Sequence, residues 1–82
     1  MFLAKVYIRL KPTVNDPQGL TISSSLRQLG FDSVVNVRAG KFMEVSLEEE
    51  DESQARALLV DMCEKLLANP VIEEYSFELI RR

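Results

Sequence analysis

Eighty-two residues, 13 of them acidic and 10 basic for a net charge of −3, make one small domain spanning 1–82, because a second core would have nothing to build from. The acidic balance argues against a domain held to nucleic acid by phosphate contacts. A single cysteine excludes an internal disulfide, and the absence of histidine excludes Ser-His and Cys-His nucleophile pairs and leaves Cys63 and the carboxylates as the only metal-ligand candidates.

A chain this short buries only about 60% of its unfolded surface, so support from self-association or a partner subunit is expected. The opening MFLAKVYIRLK lacks the apolar region and cleavage site of a signal peptide, and no run approaches the ~20 apolar residues that span a bilayer. The expectation is a soluble cytoplasmic protein.

Residues 3 to 10, LAKVYIRL, set Ala4, Val6, Ile8 and Leu10 on one face and Lys5, Tyr7 and Arg9 on the other, the period-two mark of a half-buried strand. KPTVNDPQG then turns the chain. Asp16-Pro17 predicts the cap and first position of a helix carrying Leu20, Ile22, Leu26 and Leu29 and stopping at Gly30. Gly19 falls in its first turn, where glycine costs roughly 1 kcal/mol relative to alanine. Either another backbone or a ligand comes close to the free amides there, most naturally from a protein partner, or the cost is tolerated strain.

DSVVNVRAG and KFMEVSLE alternate in turn and predict a hairpin through RAGK, with Gly40 supplying a positive φ. Arg38 and Lys41 around that turn read either as an anion clamp or as an ordinary soluble tip. EEEDESQA is a charged entry to a second helix, capped by Asp51, Glu52 or Ser53. Ala55, Leu58, Leu59, Met62, Cys63, Leu66 and Leu67 give its apolar stripe, the strongest periodicity in the chain. Asn69 suits a left-handed closing position, Pro70 forbids continuation, and VIEEYSFELI alternates as a last strand.

The order βαββαβ, with right-handed crossovers, predicts an α+β ferredoxin-like two-layer sandwich: a four-stranded antiparallel sheet with two helices on one face. The other face would carry Tyr7, Val34, Phe42, Ile72 and Ile80 among charged residues, too apolar for a lone monomer and suited to self-association. Chemistry is thin. Cys63, inside the stripe, reads as a packing residue. The run Glu48 to Glu52 reads as a solvated helix start, and neither DPQG nor RAGK is a phosphate-binding fingerprint.

DPQG after the first strand, LGF at the end of helix one, VRAGK at the hairpin and CEKLLANPVIEEY into the last strand together resemble the PurS family, the small subunit of phosphoribosylformylglycinamidine synthase, over nearly the whole chain. The chain departs from the family pattern at Thr13, at Asn15 and in the serines of helix one. The resemblance implies a non-catalytic subunit that bridges a glutaminase subunit and an ATP-dependent synthetase subunit in purine biosynthesis and assists ammonia transfer. It implies no cofactor on this chain, since ATP, Mg and glutamine are used by the partners, and a homodimer or tetramer.

Spacing and family pattern together point to Asp16, Pro17, Gly19, Arg38, Gly40 and Lys41 for partner contacts and to Tyr7, Val34, Phe42 and Ile72 for self-association. The competing expectation is a small ligand-binding regulatory module of the same fold.

Overall fold

The structure, a computed structural model, describes all residues from Met1 to Arg82. Strand β1 (Phe2–Leu10) lies at the centre of a three-stranded antiparallel sheet, flanked by β2 (Gly40–Leu47) and β3 (Glu73–Arg81). Val6 stands opposite Met43 on one side and Phe77 on the other. The alternation sends Phe2, Ala4, Val6 and Ile8 to one face, each no more than 2% exposed.

Helix α2 (Glu52–Met62) covers that face. Asp51 caps it by accepting from the Ser53 amide at 3.0 Å. Ala55, Leu59 and Cys63 form the buried part of its stripe, Leu59 and Cys63 meeting Ala4, Val6 and Ile8, and Ala55 meeting Phe2 and Leu47. Beyond Met62 the helix widens into a π turn over Cys63–Leu67, closed by the Ala68 amide donating to the Cys63 carbonyl at 3.0 Å. That widening breaks the 3.6-residue period, so Leu66, expected inside, is 83% exposed while Ala68 is buried. Asn69 takes no left-handed conformation. Its side chain instead accepts from the Val71 amide at 3.1 Å, an Asx turn that starts the reversal into β3.

Three expectations are corrected. The sheet has three strands, not four: residues 33–38, the expected first arm of the hairpin, pair with no strand. Gly40 does not have a positive φ, which occurs only at Gly30, beyond α1 (Pro17–Gln28). The two helices do not form one layer, since α1 makes no extensive packing contact with the sheet or α2. The chain is long and thin in consequence. Its radius of gyration is 16.3 Å, where a compact chain of this length measures about 12 Å.

The sheet face opposite α2 is a charge ladder with an apolar strip. Lys5 sits between Glu44 and Glu78, and Arg9 Nε donates to Glu74 at 3.0 Å. Tyr7 and Phe42 stack across the strands with ring centroids 5.2 Å apart, and the Tyr7 hydroxyl donates to Glu78 at 3.3 Å. Val34 and Ile72 lie outside the three strands. Val34 lies in the unpaired segment, and Ile72 precedes β3.

Two leucines that look alike in the sequence therefore carry different weight. Leu59→Ala empties a site in the centre of the core and is expected to cost about 2–5 kcal/mol, whereas Leu66→Ala should stay within about 0.5 kcal/mol. Urea unfolding of both variants checks this, and equal losses would contradict the π turn.

Candidate functional site: the clamp at the start of helix α1

The sequence-selected residues converge on one place. Asp16 is the N-cap of α1 and Pro17 its first position. One carboxylate oxygen of Asp16 accepts from the Gly19 amide at 2.9 Å, and the other accepts from the Ala39 amide at 2.7 Å. A single buried side chain thus ties the first turn of the helix to residues 23 positions further on. Gly19 makes the contact possible. A β-carbon there would overlap the Val37 carbonyl oxygen, so the close approach expected at this glycine is made by the chain's own backbone.

Two arginines add further ties between the arm's parts. Arg38 Nη2 donates to the carbonyls of Lys11 at 3.0 Å and Val14 at 2.9 Å. Arg27, in the last turn of α1, donates through Nε to Val34 at 3.1 Å and through Nη2 to Val35 at 2.9 Å. The Val34 and Val35 carbonyls, and the Ala39 amide just beyond, go to side chains where a hairpin would have given them to a strand, in keeping with residues 33–38 forming none. Arg27 was not singled out from the sequence; its position in the last helical turn suits the helix dipole and hid this second use.

Hydrogen bonds from Gly19 and then Ala39, with the Arg38 charge as a smaller contribution, hold the Asp16 carboxyl below the ordinary aspartate value of 3.8. Lys41, at the start of β2, lies 3.7 Å from Glu73. A cleft of about 160 Å³ sets Arg9 and Lys41 beside Asp16 and Glu73, whereas its neighbour, of about 300 Å³, brings Arg9, Arg38 and Lys41 together with no acidic residue in its lining. Lys41 is paired with Glu73 and Arg38 with the Lys11 and Val14 carbonyls, so both basic groups already have partners within the chain. Pro17, Arg38, Gly40 and Lys41 are exposed, while Asp16 and Gly19 face inward and set the shape beneath them. Cys63 is buried in the core, where desolvation raises its thiol pKa, an environment that suits packing and opposes reactivity.

Fold and site together define a small α+β protein whose cap residue clamps a helical arm away from its own sheet. The family model described as phosphoribosylformylglycinamidine (FGAM) synthase, PurS, matches residues 3–81. The chain is 49% identical to the PurS subunit of Synechocystis over 75 residues, covering 92% of this chain and 75% of that one, and 44% identical to that of Bacillus subtilis, covering 96% and 93%. The solved B. subtilis PurS structure superimposes with a TM-score of 0.90 at 43% identity over 99% of this chain and all of that one. A chain in a structure of PurLQS from Thermotoga maritima superimposes with a TM-score of 0.86 at 31% identity, covering 98% and 99%. The chain belongs to the PurS family.

Two outcomes test the clamp. Gly19→Ala should destabilise the fold by about 1–3 kcal/mol, the cost of forcing a methyl into a filled space, where an unclamped helix would gain from the same change. Because the folded Asp16 pKa is depressed, its stabilisation is present above the ordinary value of 3.8 and is lost as pH falls through the lower folded value. Asn offers one carbonyl oxygen and cannot accept both amides through separate oxygens. Thermal unfolding across pH should therefore show Asp16→Asn less stable than wild type near neutrality, with the gap closing in acid.

Proposed function

We propose that this chain is the small subunit of phosphoribosylformylglycinamidine synthase, the glutamine-dependent, ATP-using ligase of purine biosynthesis, and that it works without reacting groups of its own. The observation that carries the reading is the family match over residues 3–81. The absence of histidine and the burial of the lone cysteine support a role through surfaces.

In this reading the chain bridges a glutaminase subunit and the large synthetase subunit and helps ammonia pass between them. ATP, Mg and glutamine are used by those partners, and the complex works in the cytoplasm. The partner contact falls on Pro17, Arg38, Gly40 and Lys41, presented by the Asp16–Gly19 clamp. The chain also pairs with itself, and Tyr7 with Phe42 supplies an apolar strip for higher assembly. No helix is long and apolar enough to cross a membrane.

Reconstitution with the glutaminase and synthetase subunits tests this. Glutamine-dependent amidation of formylglycinamide ribonucleotide should require the chain, while amidation supported by added ammonium should depend on it much less. Equal glutamine-dependent rates with and without the chain would contradict the proposal.

A further inference from the structure

Strand pairing sets Gly40 directly opposite Arg9, just after the segment that carries Arg38. The backbone requires glycine there, since a β-carbon would overlap the Ile8 carbonyl oxygen. With no side chain at Gly40, a cleft of about 300 Å³ stays open, lined by Arg9, Arg38 and Lys41 and by the stacked rings of Tyr7 and Phe42. Phe42 is 54% exposed.

The three cations of this lining are not equivalent. Arg9 is paired with Glu74 and Lys41 with Glu73. Arg38 is in no ion pair. Its Nη2 donates to the neutral carbonyls of Lys11 and Val14, which fix the guanidinium in place without supplying a counter-charge. The donors on Nε and Nη1 have no partner in the chain. Asp16 does not fill that role, because both of its oxygens accept from backbone amides and it lies outside this lining.

We propose that Arg38 receives the carboxylate of an Asp or Glu on a partner subunit, and that an apolar side chain beside that carboxylate lies on the Tyr7 and Phe42 rings. One cation without a carboxylate partner matches a single carboxylate, whereas a phosphate group carries up to about two negative charges at pH 7. The guanidinium is already immobilised and the rings are already stacked, so little ordering remains to oppose the contact. This deepens the preceding reading at the same surface and rests on it for the partner, the glutaminase or the synthetase subunit.

Binding of the fluorescently labelled full chain to those two subunits, followed by anisotropy, tests it. Arg38→Gln should weaken binding roughly 10- to 100-fold, and added salt should weaken the wild type more steeply than this variant. Because Arg38 also ties the arm, a second pair of variants removes the ambiguity. Arg9→Gln leaves Glu74 bare in the adjoining cleft that Arg38 also lines, where it would repel the incoming carboxylate. It should therefore weaken binding, and Arg9→Gln with Glu74→Gln should restore affinity to within about fivefold of wild type.

Arg38→Gln binding as tightly as wild type, or no rescue by the Glu74 change, would overturn the contact while leaving the subunit assignment standing. So would saturable binding of inorganic phosphate to the free chain below about 1 mM, read from the Arg38 side-chain NMR signal, since the cleft would then be a small-anion site. A wild-type chain that binds neither subunit would overturn the subunit reading and the contact with it.

Discussion

The carboxylate of Asp16 is the constraint on which the rest of the molecule depends. It accepts from the Gly19 amide, which starts α1, and from the Ala39 amide, which ends the return segment, so the helix and the chain leading back to the sheet form one arm. Capping a helix needs only the first of these bonds. The second turns a local cap into a long-range tie, and the missing side chain at Gly19 lets the Val37 carbonyl close against it. Arg38 and Arg27 complete the arm by taking carbonyls that would otherwise need a strand partner.

With the arm held off, the domain must stand on what β1, its two neighbours and α2 can bury. Only twelve of the 82 residues are buried, and nine of those are apolar. A core that small is marginal by itself, and the apolar surface left on α1, on β2 and along the outer flank of α2 is the physical reason to expect stability to come from association. The same economy suits a subunit whose contribution is to hold other proteins in place. Its polar groups are spent on shape: Arg9 on Glu74, Tyr7 on Glu78, Tyr75 on Glu64.

Local periodicity made the core legible. The alternation through Ala4, Val6 and Ile8 and the spacing of Ala55, Leu59 and Cys63 were sufficient to place β1 under α2, because each pattern is set by the geometry of a single element. Residues 33–38 alternate just as well, yet the Val34 and Val35 carbonyls accept from the Arg27 side chain, and no period reveals a partner that is not a strand. At Gly19 the helix cost left a close neighbour and tolerated strain both open, and the neighbour is Val37 of the chain itself, where a protein partner was the expected occupant. At Leu66 a single π turn, which propensity does not mark, moved one leucine from the expected core to solvent. The candidate partner residues were found because capping and turn chemistry marks Asp16, Pro17 and Gly19; Arg27 was missed because its role depends on the fold of the segment it holds.

Residue-resolved hydrogen exchange of the wild-type chain tests the clamp most directly. If Asp16 ties the arm together, the amides of Gly19 and Ala39 should be protected to a degree approaching those of β1, although Gly19 sits in a helix's first turn and Ala39 in no element. Exchange of both at the rate of an open loop would show that the arm is not held, and would remove the basis for the rest of the account.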